Sequence, residues 1–94
     1  MSDRDDLLIE LFKAAREGEP LLEMPQPDEI RAWRRAVGIK LPELAVALGG
    51  VSVATVTRVE RGESLPSGRL DLRWRRVMGF IKQLAVAAAQ KEGL

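Results

Sequence analysis

The sequence predicts an all-α fold of five helices, and three observations support this prediction. Apolar residues recur at three- and four-residue spacing in several separate stretches of the 94-residue chain. Glycines and prolines cluster between those stretches, where they end one helix before the next begins. The last quarter of the chain carries a continuous heptad-type apolar seam, which is typical of one long helix.

The composition excludes several kinds of chemistry. The chain has no cysteine and no histidine. It therefore lacks disulfides, thiolate nucleophiles, imidazole bases and the usual zinc ligands. We expect no catalytic residues, no cofactor and no metal site. No stretch approaches the roughly 18 apolar residues of a membrane span, so we expect a soluble, cytoplasmic protein without a membrane partner.

Charge is distributed unevenly along the chain. Residues 1–30 hold nine acidic and three basic residues, a net −6, whereas residues 31–94 hold twelve basic and five acidic residues, a net +7. Fixed positive charge attracts phosphates and releases their counterions on binding. The basic part predicts a polyanionic partner, and the alternative is a solvated basic face.

The first helix is predicted from Asp5 to Arg16, and a linker, "GEPLLEMPQP", follows it. The helix is amphipathic, with an apolar face made of Leu8, Leu11, Phe12 and Ala15. The prolines of the linker remove backbone donors that a helix needs. Two roles stay open for this acidic helix: a supporting or dimer-swapped element, or a segment that binds a protein partner or shields the basic surface.

Two helices follow the linker. The first runs from about Asp28 to Val37, with acidic residues in its first turn and Gly38 as its stop. The next has about two turns, begins near Pro42 and ends before Gly49. Proline suits the first turn of a helix because the backbone donor that it lacks has no helical partner there.

Ser52 is a good N-cap for the fourth helix, which Gly62 ends. Val56 and Val59 would point inward. The outward residues would be Val53, Ala54, Thr57, Arg58 and Arg61. Because the run "VSVATVTRV" is rich in β-branched residues, propensity alone favours a strand, and packing must override it.

One long helix is predicted from about Ser67 to Lys91. Its seam consists of residues at alternating steps of four and three, namely Leu70, Trp74, Val77, Ile81, Leu84 and Ala88. We expect this seam to form a homodimer interface. The alternative is that it belongs to the core of a single chain.

The third and fourth helices, joined by a glycine-containing turn, have the form of a helix-turn-helix. Small residues at the start of the second helix would let its end approach base edges in the major groove of DNA, which is about 12 Å wide. Arg58 could bind a guanine with two hydrogen bonds. The predicted DNA-binding residues are Lys40, Ser52, Val53, Ala54, Thr55, Thr57, Arg58 and Arg61.

The segments "RRAVGIKLPELAVALG" and "VSVATVTRVERG" resemble the Cro/CI-type (XRE-like) helix-turn-helix family of phage repressors and bacterial regulators. The resemblance covers about residues 30–66. It implies that Arg34 pairs with Glu60 as a structural ion pair. It also implies base contacts on the fourth helix and phosphate contacts near Lys40 and after Arg61. The chain departs from the family pattern in "GGV", which has one residue more in the turn.

Together these observations predict a five-helix, lambda-repressor-like domain. We expect an acidic helix and linker over residues 1–27, a helix-turn-helix core over 28–66, and a dimerisation helix over 67–94. The predicted function is a transcriptional regulator of the XRE family, a repressor or an activator, that binds an inverted-repeat operator as a homodimer and associates with the nucleoid. The alternative is a protein-interaction module, antitoxin-like or an adaptor for a polymerase or other partner.

Overall fold

The computed structural model describes residues 3–92, and within that range it is all-helical, which confirms the predicted fold class. The five helices are α1 (Asp3–Glu17), α2 (Pro27–Val37), α3 (Leu41–Ala47), α4 (Val53–Glu60) and α5 (Arg69–Glu92). None of the helices in this range is long and apolar enough to cross a membrane.

A single core joins all five helices. The long helix α5 packs against both α1 and α2, while α3 packs against α4 and α1. Each helix contributes buried apolar side chains to this core, among them Leu11, Ile30, Leu44, Val56, Trp74 and Met78. The helix-turn-helix is therefore held by α1, which packs against α3, and by α2, which packs against α4.

Local signals in the sequence set the helix ends. Gly38 adopts a left-handed conformation with φ of 81°, and its N–H donates to the Arg34 carbonyl at 2.8 Å, which ends α2. The Ser52 hydroxyl accepts from the Thr55 N–H at 3.1 Å, which confirms Ser52 as the N-cap of α4. Val56 and Val59 are buried on the inner face of α4, so packing overrides the strand propensity of this segment.

The seam of α5 lies inside the single chain. Trp74, Val77 and Ile81 are each 0% exposed, and the seam residues Leu70, Leu84 and Ala88 are partly buried. The expectation that these side chains form a dimer interface is wrong for the three buried ones, because α1 and α2 already cover them. An apolar heptad seam must pack against other apolar side chains, and here α1 and α2 of the same chain supply them.

The linker between α1 and α2 is docked on α5. The Leu21 N–H donates to the Arg75 carbonyl at 3.2 Å, and the Arg75 side chain donates to the Leu22 carbonyl at 3.0 Å. Gly79 makes this approach possible, since a β-carbon there would lie 2.8 Å from the Glu19 carbonyl oxygen. Arg75 also pairs with Asp71, so its role is structural.

One predicted core side chain is more exposed than expected. Phe12, assigned to the apolar face of the first helix, is 37% exposed, whereas Leu11 beside it is fully buried. The buried face of α1 is centred on Leu11, Ala14 and Ala15. Phe12 lies at the edge of that face, next to α3.

Candidate nucleic-acid interface

The outer face of α4 is exposed and carries the predicted base-contacting residues. Val53, Ala54 and Arg58 are exposed, Thr57 is half-buried, and Arg61 is exposed at the C-cap. Val56 and Val59 on the opposite face anchor the helix in the core. A helix anchored along one side presents the other to a partner as a rigid surface.

The start of α4 carries small side chains, two of which hydrogen-bond to each other. The Ser52 and Thr55 hydroxyl oxygens lie 2.9 Å apart and hydrogen-bond to each other, while Ser52 also accepts from the backbone of the first turn. These two side chains therefore have a structural role at the helix end that is expected to approach DNA. Val53 and Ala54 follow, and neither is large enough to keep the backbone far from a base edge.

Electrostatics favour an anionic partner at this face. Glu60 is the one carboxylate within α4, and it is 5% exposed. The guanidinium of Arg34 binds both of its oxygens, from Nε at 2.8 Å and from Nη2 at 2.7 Å. The charge of Glu60 is thus neutralised inside the domain, and the exposed charges of α4 and its C-cap are those of Arg58 and Arg61.

The Arg34–Glu60 pair also fixes the geometry of three segments. Arg34 lies in α2, Glu60 in α4, and the Nη1 of Arg34 donates to the Ile39 carbonyl at 3.3 Å in the turn before α3. Both side chains are largely removed from solvent, with 15% and 6% of their surface exposed. A bidentate arginine–carboxylate contact restrains orientation as well as distance.

Lys40 lies at the N-cap of α3 with an exposed side chain. Its backbone N–H donates to the Glu43 carboxylate at 2.9 Å, which closes the first turn of α3. The Lys40 side chain is left exposed to solvent at this end of α3.

Sequence reasoning missed a contact that holds the start of α3. Arg4 in α1 donates from its Nε to the Glu43 carboxylate at 3.1 Å, makes a second bond through Nη2, and donates from Nη1 to the Gly38 carbonyl. The two ionic residues are 39 positions apart, and no local pattern links them. Through this contact α1 positions the end of α3 where Lys40 lies.

The loop after α4 exposes further charged side chains and is tied to α2. It includes exposed Arg61 and Glu63, while Pro66 is buried. Gly62 has a φ of 78° and lies against Pro27, where a β-carbon would come within 2.9 Å of the proline ring. This contact ties the loop to the start of α2.

Residues 30–70, which include α3, the turn and α4, match a helix-turn-helix family model. This part of the chain is a helix-turn-helix domain of the Cro/CI-type (XRE-like) family, as the sequence resemblance predicted. The family indicates a DNA-binding transcription regulator. Searches among curated proteins and among solved structures found no match to the chain.

Proposed function

We propose that the chain is a sequence-specific transcriptional regulator, a repressor, that binds an inverted-repeat operator as a homodimer. The observation that carries this proposal is the outer face of α4: small residues at its start, Arg58 one turn later, and its one carboxylate buried against Arg34. Such a face suits the major groove, where base edges and phosphates are both within reach of a helix.

Each exposed residue has a proposed role. Arg58 binds guanine O6 and N7 with two hydrogen bonds, and Val53, Ala54 and Thr57 contact thymine methyl groups. Lys40 and Arg61 bind phosphates on either side of the groove, with Ser52 and Thr55 shaping the approach. Phosphate contacts position the domain, and the contacts of α4 supply the sequence preference.

A homodimer would read two half-sites related by a two-fold axis. In this arrangement the two copies of α4 lie about 34 Å apart, one turn of DNA. Occupancy of a promoter by this dimer would repress transcription. The protein would then act in the cytoplasm on the nucleoid.

Selection of duplexes from a random pool tests the proposal directly. The full chain should enrich an inverted repeat, and the logarithm of its affinity should fall linearly with the logarithm of salt concentration, with a slope of about −0.9 per phosphate neutralised. Lys40→Ala and Arg61→Ala should each reduce that slope by about one unit per protomer.

Lys91→Ala is the matched control, since it removes one exposed positive charge near the end of α5. It should leave the slope unchanged. A chain that enriches no sequence and shows a flat salt response would overturn the proposal. Those results would favour the protein-interaction module instead.

A further inference from the structure

One side of α1 carries a stripe of residues at steps of four, three and four: Asp5, Ile9, Phe12 and Arg16. These residues share a helix face because 3.6 residues make one turn. Ile9 is 53% exposed and Phe12 is 37% exposed, and Asp5 and Arg16 are exposed at the two ends. The stripe is thus apolar in the middle, acidic at one end and basic at the other.

The surface continues from α1 onto α3. Val46 on α3 is 60% exposed. It lines, with Phe12 and Arg16, a groove of about 340 Å³ that also includes Arg73 at its edge. Within residues 3–92, Arg16 and Arg73 form no hydrogen bond or ion pair. The basic end of the stripe therefore lies beside an open, apolar groove that bears a second guanidinium.

We propose that this surface, which we call the α1 stripe, pairs with the α1 stripe of a second copy of the chain, the two helices running antiparallel. In that register Asp5 lies opposite the partner's Arg16, and Ile9 lies opposite the partner's Phe12. A two-fold axis makes every such contact twice. One surface thus supplies both halves of a self-complementary interface.

The order of charges selects the antiparallel orientation. In a parallel pair Asp5 would face the partner's Asp5, and Arg16 would face the partner's Arg16, so both ends would repel. Exposed ion pairs contribute little to affinity but set orientation and register. The affinity comes from the apolar centre, where Ile9 and Phe12 lose contact with water, and from Val46 beside the basic end.

This inference deepens the proposed function, because it rests on the homodimer and assigns that dimer a surface. The assignment is needed because the seam of α5, the other long apolar surface, is buried within the chain. Self-association can be measured without DNA, so the interface and the DNA-binding role are tested separately.

The test is sedimentation equilibrium of the full chain without DNA, over a concentration series. The wild type should show a reversible monomer–dimer equilibrium. Arg16→Glu alone and Asp5→Arg alone should each raise the dimer dissociation constant by about tenfold or more, because each change places two like-charged pairs in the interface.

Two complementation experiments sharpen the test. Mixing the Arg16→Glu and Asp5→Arg chains should restore dimers, since each acidic end then meets a basic end across the interface. The chain that carries both substitutions should dimerise on its own as the wild type does. If either substitution acted only by destabilising the fold of its own chain, mixing the two chains would not restore dimers.

Lys13→Glu is the control, because Lys13 is exposed on α1 but lies outside the stripe. It should leave the dissociation constant unchanged. The inference is overturned if the wild type stays monomeric, if Lys13→Glu weakens dimers as much as Arg16→Glu does, or if mixing restores nothing. In each case, sequence-selective and salt-dependent DNA binding would leave the proposed DNA-binding role standing, and its absence would remove that role independently.

Discussion

The guanidinium of Arg34 binds both carboxylate oxygens of Glu60, with N–O distances of 2.8 and 2.7 Å, and so joins α2 to α4, whose outer face is exposed. Because Glu60 is buried beneath that face, the pair orients α4 without occupying its outer surface. The residues that hold α4 in place are therefore different from those exposed on its outer face.

Glu60→Ala should destabilise the fold by about 3–5 kcal/mol, since it leaves the charge of Arg34 largely buried without its partner. Urea unfolding would measure this loss. Glu63→Ala, three residues later and exposed, should change stability by less than about 0.5 kcal/mol. A stable Glu60→Ala chain that had lost sequence preference would instead show that Glu60 contacts DNA.

Arg58→Ala should weaken binding to the selected duplex by about 1–3 kcal/mol and relax one base position, while binding to random duplexes falls much less. Arg58→Lys is the matched variant: it keeps the charge but loses the planar fork that binds guanine with two bonds. It should retain non-specific affinity and still lose the base preference. Equal losses on both duplexes would assign Arg58 to a phosphate.

Trp74→Ala together with Ile81→Ala should unfold the chain rather than yield a folded monomer. Both side chains are fully buried, and a Trp→Ala change in a core costs about 3–5 kcal/mol by itself. Thermal unfolding followed by circular dichroism would detect the loss. The matched change Trp74→Phe should cost much less, because it keeps most of the volume and removes an indole N–H that has no partner within the described residues.

The sequence predicted well those features that depend on neighbouring residues. Gly38, Ser52 and Gly62 marked helix ends, and the spacing of Val56 and Val59 identified the buried face of α4. What covers the seam of α5 could not be predicted, because a heptad pattern demands an apolar cover without saying which chain supplies it. The Arg4–Glu43 contact was equally hidden, since the fold alone brings together residues so far apart.

Gly79→Ala should destabilise the protein by about 1–3 kcal/mol, the usual cost of an added methyl in a filled space. An alanine would ordinarily stabilise a helix interior by about 1 kcal/mol relative to glycine. A loss of stability in Gly79→Ala would therefore indicate that the linker packs against this position. The new β-carbon would lie 2.8 Å from the Glu19 carbonyl oxygen and force the linker away from α5. Hydrogen exchange at the Leu21 amide, which donates to Arg75, should then become faster. A stabilised chain with a protected Leu21 amide would contradict the docked linker.

The acidic residues of α1 should weaken non-specific DNA binding through long-range repulsion from the phosphates. Deleting the helix cannot test this, because α1 contributes Leu11 and Ala15 to the core. Neutralising Asp6, Glu10 and Glu17, which are exposed and lie outside the α1 stripe, leaves the fold and the proposed dimer intact. Affinity for random duplexes should rise at low salt and return to the wild-type value at high salt, because the Debye length shrinks from about 30 Å at 0.01 M to about 3 Å at 1 M. Lys13→Gln, which removes an exposed positive charge from the same helix, should lower the affinity for random duplexes at low salt. An increase that persists at high salt would mean that the carboxylates act by direct contact rather than by repulsion at a distance.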